Sequence, residues 1–336
     1  MNNVSITNGP VGEALGINVH TDINQALHQQ FVVRYSTDPA DNIIFDLANM
    51  PAMPLQSSQL LEVWDGLYAN NTNQNKDWQI YYNDKYLFAA VPIFLLENLT
   101  LDQAAEKAYS LIFEQMQHWG YPYLLRTWNF FPEITSGAYA DANNYHLFCS
   151  GRAKAYTKLS TTHAQPYPAA TVIGIQQSGL YIYFIASKEN GVGIENPQQV
   201  SAFEYPPAYS QDPPLFSRAL LHRNESQEIL FVSGTASIAG HSTQYEGDVN
   251  RQTTMCLDNI NNLVSASVNN HHFPKISLSE FSHFKVYIKN IDHLDTVRTH
   301  IQQLIGVNTP TYYLQGDMCR ADLLVEVEGL AIISRI

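Results

Sequence analysis

Two stretches of the chain share one pattern of hydrophobic and polar positions. In the first, an apolar run at 86–96 predicts a strand. A helix over 101–119 follows, with Leu101, Ala105, Ala108, Ile112, Met116 and Trp119 at helical spacing. Thr100 and Gln103 form a capping-box signature at its start, Gly120 stops it, and 123–134 reads as the next strand. In the second, 229–237 predicts a strand and 248–267 a helix, with Val249, Cys256, Ile260, Leu263 and Val264 on one face. A strand at 284–288, a helix carrying Leu294, Val297, Ile301 and Leu304, and a final strand at 323–333 complete it. Strand–helix–strand units about 145 residues apart predict an α+β protein of two related domains, each with helices packed on a mixed β-sheet. The boundary is expected near 160, giving domains 1–160 and 161–336. Between the units, strand signals at 171–175 and 180–186 precede YPPAYSQDPP (205–214), whose prolines exclude regular helix or central strand. That segment is a connector or a rigid rim holding Tyr205 and Tyr209.

Length and charge narrow the classes. A chain of 336 residues agrees with two domains. Its 18 Lys+Arg against 31 Asp+Glu give −13, with no basic block, which argues against nucleic acid and anionic membranes as partners. The longest apolar run is eleven residues with Pro92 inside it, short of the ~20 that span a bilayer, and the N-terminus lacks signal-peptide character. Three widely separated cysteines suit neither a disulfide framework nor a thiolate metal site. A reduced, soluble, cytoplasmic protein is expected.

Phosphate loops, HExxH and GxSxG motifs are absent, and the histidines lack metal-ligand spacing. The unusual residues are arginines among apolar or small neighbours: Arg126, Arg152, Arg218 and Arg320. A guanidinium in such a setting needs a carboxylate partner. Any one of them is satisfied by an internal Asp or Glu; four together favour a pocket for an anionic ligand. Arg152, Arg218 and Arg320 are the better candidates, and Arg126, inside a strand-like run, reads as structural. In LLVEVEGL (323–330), alternation puts Glu326 and Glu328 on one face with Leu324 and Leu330. That face is either solvated or buried. If it is buried, a carboxyl there has a raised pKa and can donate a proton near neutral pH. Glu326, nearer Cys319-Arg320, is the better donor. Cys319 beside an arginine is a candidate polarised thiol, and Cys256 reads as core. The small residues of Ser233–Ser237 and Gly240 form a tight turn or let a ligand approach the backbone.

Several blocks, in order along the chain, resemble the chorismatase family, enzymes that remove the enolpyruvyl group of chorismate. They are LLRTWNFFPEI (124–134), YHLFCSGRAKAY (145–156), YPAATVIG (167–174), ENPQQVSAFEYPPAY (195–209), FSRA (216–219), SGTASIAGH (233–241) and CRADLLVEVEG (319–329). The C-terminal half is also similar to the RidA/YjgF fold, through Ser233-Gly234, the helix GDVNRQTTMCLDNINNLV (247–264) and the VEVEG strand. The resemblance implies a RidA/YjgF-like C-terminal domain after a degenerate relative, with most of the active site in the C-terminal one. It implies chorismate as the small-molecule substrate, no cofactor or metal, and a monomer or trimer. Arg152, Arg218 and Arg320 become carboxylate clamps, Tyr205 orients the ring, and Glu326 is the catalytic acid. Cys319 matches the cysteine of members that form a hydroxybenzoate, and Ala236 lies in a segment that varies between product classes. The expected product is 3-hydroxybenzoate, with 4-hydroxybenzoate as a second; the alternative is hydrolysis to a trans-dihydrodiol acid. A RidA-like imine deaminase or a small-carboxylate binding protein are the readings outside this chemistry.

Overall fold

The computed structural model describes residues 15–20, 31–36, 59–65, 68–69, 78–92, 94–139, 142–159, 166–206 and 212–335. Three strands come first: β1 (Gly16–His20), β2 (Phe31–Ser36) and β3 (Gln59–Asp65), forming a small antiparallel sheet in the order β1-β3-β2. A six-stranded sheet follows, built from β4 (Tyr68–Ala69), β5 (Gln79–Tyr82), β6 (Tyr86–Ala90), helix α1 (Leu101–Trp119) and β7 (Tyr123–Pro132). The short hairpin β8 (Gly137–Tyr139) and β9 (Ala142–Asn143) then leads into α2 (Asn144–Lys158), β10 (Ala169–Ile175) and β11 (Tyr181–Ser187). The second six-stranded sheet begins with β12 (Val192–Ile194), β13 (Ala219–Arg223) and β14 (Gln227–Ala236). After the hairpin β15 (Ile238–Ala239) and β16 (Ser242–Thr243) come α3 (Val249–His271), β17 (His283–Ile288), α4 (Leu294–Ile305), β18 (Thr311–Gln315) and β19 (Val325–Ser334).

The two large sheets have one topology. The first runs β10-β7-β11-β6-β5-β4 and the second, read from its other edge, β18-β17-β19-β14-β13-β12. In each, the outer pair is parallel and the last strand inserts antiparallel between the hairpin and the crossover strand. The internal repeat expected from the pattern is therefore present strand for strand. β10 and β11 belong to the first sheet, so the sheets divide between Ser187 and Val192 rather than near 160.

α1 begins where the side chain of Gln103 accepts the Thr100 N–H (3.2 Å), and it ends at Gly120 in the left-handed region (φ 75°). α2 has no counterpart in the predicted elements. Its buried residues (Phe148, Cys149, Gly151, Arg152, Ala155, Tyr156) lie on one side of the helix, but Gly151 and Arg152 interrupt that side, so the sequence shows no continuous apolar stripe. It lies close against α1 at Gly151, where a Cβ would come within 2.1 Å of the Asp102 carbonyl oxygen.

Helices α1 and α2 cover one face of the first sheet, and α3 and α4 one face of the second. The opposite faces meet in a shared core: Trp128, Phe130 and Tyr183 from the first sheet, Leu220, Phe231 and Leu330 from the second, with Val33 and Trp64 of the small sheet. At that seam β14 carries a bulge. Val232 faces Gly329 and Thr235 faces Val327, so Ser233 and Gly234 together oppose Glu328. No helix among the described residues is long and apolar enough to cross a membrane.

Candidate active site

A cavity of about 710 Å³ opens where the helix-covered halves adjoin. Its walls are the start of α2 (Tyr145, His146), β10 (Ala170, Val172), the end of β14 (Gly234, Ala236), β16, and the loop 319–322 ahead of β19. Six of the seven residues singled out in the sequence line it: Glu326, Cys319, Arg218, Arg320, Tyr205 and Ala236. Tyr209 lies outside the described residues.

Arg152 is the exception. It is buried on α2 with its guanidinium over the rings of Phe148 (5.1 Å) and Tyr109 (5.9 Å), and it does not line the cavity. Among the described residues its Nε and Nη1 have no hydrogen-bond partner, and Nη2 lies 4.0 Å from the Cys149 sulfur. Its place on the inner side of α2, facing α1, is what the linear motif could not show.

Arg218 donates from Nη2 to the Val200 carbonyl (3.0 Å) and to the Tyr205 hydroxyl (2.6 Å), and its charge lies over the rings of Tyr205 and Phe216. Tyr205, placed by the short helix Ala202–Glu204, lines the cavity beside Arg218. Glu195 accepts the Arg218 backbone N–H at 3.1 Å; burial pushes its carboxyl up to about 7. Arg320 is held by the His241 carbonyl (2.9 Å), with Thr243 Oγ1 at 3.4 Å. The two arginines thus face the cavity from different loops.

The two glutamates of β19 diverge. Glu328 accepts from Arg126 Nη2 (3.0 Å), Thr171 Oγ1 (2.6 Å), Trp128 Nε1 (2.8 Å) and Tyr287 Oη (3.3 Å), with Lys285 Nζ at 2.9 Å. Lys285 also binds Glu62 (2.8 Å), itself hydrogen-bonded by Tyr35 and Trp64. Burial alone would raise the Glu328 carboxyl, but the Lys285 and Arg126 charges and the Thr171 and Trp128 hydrogen bonds hold it at about 2. Glu326, also buried, accepts no hydrogen bond and forms no ion pair among the described residues. Burial, and then the Glu328 charge, push it up to about 8 against the pull of Arg126 and Arg218. It carries a proton at neutral pH and faces the cavity.

The small residues ahead of the hairpin make room for that carboxyl. A Cβ on Gly234 would stand 2.0 Å from Glu326 Oε1. What approaches the backbone here is the protein's own acid. The bulge turns the Gly234 N–H to Thr171 Oγ1 (3.1 Å). Cys319 differs from the expected polarised thiol. Burial and the neighbouring Glu326 push it up to about 12, so it faces the cavity as a neutral SH. Cys256 is core, as expected, and Arg126 is the structural arginine.

Sequence reasoning missed Tyr145 and His146, because α2 itself was missed, and also the Glu62–Lys285–Glu328–Arg126 network. A charged residue flanked by apolar ones in EVW (62–64) and FKVY (284–287) is the signal that marks such a buried ion, since an isolated charge is not left in a strand interior. Among the described residues no group of His, Cys, Asp or Glu is placed to hold a metal.

The chain is similar to known proteins over most of its length. Residues 62–186 match the family described as "Chorismatase FkbO/Hyg5-like, N-terminal". A 3-hydroxybenzoate synthase of Streptomyces hygroscopicus is 33% identical over 283 residues, 81% of each chain. A chorismatase of Streptomyces rapamycinicus is 37% identical over 227 residues, covering 66% of this chain and 68% of that one. The crystal structure of a chorismatase superposes with a TM-score of 0.84 at 28% identity, over 95% of this chain and 98% of that one. By sequence relatives across four fifths of its length and by the shared fold of both halves, the chain belongs to the chorismatase family.

Proposed function

We propose that the protein cleaves chorismate, releasing its enolpyruvyl group as pyruvate and forming 3-hydroxybenzoate, with Glu326 as the acid. The observation that carries this reading is a protonated, buried carboxyl facing a cavity that also presents two arginines. The substrate is a dianion, and Arg218 and Arg320 supply two cationic anchors for its carboxylates. Tyr205, fixed by Arg218, stands against the ring.

Cleavage begins when Glu326 gives its proton to the methylene carbon of the enol ether. The product is an oxocarbenium ion, and the carboxylate left behind stabilises its positive charge. The ring hydroxyl then displaces the pyruvyl oxygen from the adjacent ring carbon. Pyruvate leaves, the hydroxyl proton is released, and an epoxide remains. Opening of the epoxide with loss of a ring proton restores the aromatic ring as 3-hydroxybenzoate. No water is consumed overall, so atoms and charges balance. The similarity to a 3-hydroxybenzoate synthase and the neutral Cys319 thiol beside the acid support this route over hydrolysis to the dihydrodiol, which consumes one water. Arg152 does not line the cavity and packs α2 against α1.

Incubating the purified protein with chorismate and measuring pyruvate, then resolving the ring product by chromatography, tests both parts. Pyruvate with 3-hydroxybenzoate in equal amounts is expected. Absence of pyruvate overturns the activity, and dihydrodiol as the main product overturns the route.

A further inference from the structure

Glu328 has no place in the steps above, yet it is the most heavily bonded side chain near the acid. It stands two residues from Glu326 on the same face of β19, and the pairings Lys285↔Glu328 and Tyr287↔Glu326 on β17 keep both carboxyls in one layer. The donors of this layer are divided unequally. Arg126, Trp128 and Thr171 from the first sheet, and Lys285 and Tyr287 from the second, all turn to Glu328. The β14 bulge completes the partition. Its Gly234 N–H goes to Thr171, whose hydroxyl proton is given to Glu328, so neither group serves Glu326.

We propose that Glu328 is a positioning residue for the reaction: its clamped carboxylate is a fixed negative charge that keeps the proton on Glu326 until the enol ether takes it. The inference rests on the reading of Glu326 as the acid. The charged groups acting on Glu326 divide in two, and His146, Glu246 and Asp322 also line the cavity it faces. Glu328 on its own strand favours the protonated acid, whereas Arg126 of β7 and Arg218 ahead of β13 oppose it. Cys256 of α3 and Cys319 of the preceding loop remain neutral thiols, raised by burial and by Glu326. Tyr287 of β17 is a neutral phenol, and Lys285 is engaged by Glu328 and Glu62. Arg320 lines the same cavity from the loop 319–322 and is held at the His241 carbonyl. The device spans both halves of the molecule: the acid sits on one sheet, and part of what clamps its neighbour comes from the other.

The test is the pH profile of kcat/KM together with the infrared band of the protonated carboxyl, identified as the band lost in Glu326→Gln. The wild type should lose activity and band together as the pH rises through about 8. In Glu328→Gln the midpoint of both should fall by about one to two pH units. In Arg126→Gln, where an opposing cation is removed and Lys285 still holds Glu328, it should rise. An unshifted midpoint in folded Glu328→Gln overturns the inference, and if that variant does not fold, a midpoint in Arg126→Gln that stays or falls does so. A wild type in which the band is absent, or Glu326→Gln is fully active, overturns the reading of the acid instead. A merely structural Glu328 would lower the amount of folded enzyme and leave the midpoint in place.

Discussion

Glu326 and Glu328 are the same residue on the same face of one strand, both buried, and they end in opposite protonation states. Around Glu328 the two sheets bring together two cations, an indole, a hydroxyl and a phenol, and the carboxyl is held at about 2. Around Glu326 they bring together a glycine, a neutral thiol and a cavity, and the carboxyl is pushed up to about 8. Burial acts on both in the same direction. The supply of donors decides which carboxyl overcomes it. A saturated carboxylate becomes a fixed charge, and an unsaturated one next to it becomes an acid.

The comparison breaks most sharply on removal of one carboxyl at a time. Glu326→Gln should lower the rate of pyruvate release by about 10²–10⁴-fold while leaving the folded state intact. Because Glu326 binds its proton more tightly folded than unfolded, wild-type stability should decline as the pH rises from the ordinary carboxylate range through about 8. Denaturant titrations across that range should show the decline in the wild type and not in Glu326→Gln. Glu328→Gln makes the same chemical change with the other consequence. It leaves Arg126 and part of Lys285 unpaired in the core, so urea unfolding should show a loss of about 3–5 kcal/mol. The wild-type contribution of this carboxylate is present above the ordinary range and disappears as the pH falls toward 2.

Smaller changes sharpen the contrast. Gly234→Ala puts a methyl group where Glu326 Oε1 now sits, so kcat should fall by about 10–100-fold with the fold retained, as steady-state kinetics and circular dichroism would show. A variant of unchanged kcat would mean that the carboxyl has another equally productive pose. Cys319→Ala should leave pyruvate release within about threefold, since a neutral thiol carries no charge in the acid step. Its effect belongs in the ratio of 3-hydroxybenzoate to other ring products, read by chromatography; an unchanged ratio removes the thiol from the choice of route.

Much of the site was legible because charged residues in apolar company have few roles. Arg218, Arg320, Glu326 and Cys319 stood out on that ground, and all four line one cavity. The same ground misplaced Arg152, whose apolar company is the packing of α2 on α1. It misjudged Cys319 as well, because an adjacent arginine in sequence counts for less than burial and a carboxyl in space. Helix α1 was legible to the residue, since one side meets a sheet and the other meets solvent. α2 was not, since its buried side carries Gly151 and Arg152 in place of a continuous apolar stripe. The placement of β10 and β11 was also hidden: strand character is local, but the sheet a strand joins is a matter of distant partners.

The sequence by itself determined the elements with a single buried face, the repeat of strand and helix in two halves, and the alternation that put Glu326 and Glu328 side by side. These follow from periodicities of two and 3.6, which are properties of the backbone and need no partner. Only the tertiary structure decided which glutamate is clamped as a carboxylate and which is left without donors. That depended on Arg126, Thr171 and Lys285, up to 202 residues away in the chain, all turning toward Glu328. A pKa reports the solvation and charge around an atom, and those are fixed where the sheets meet.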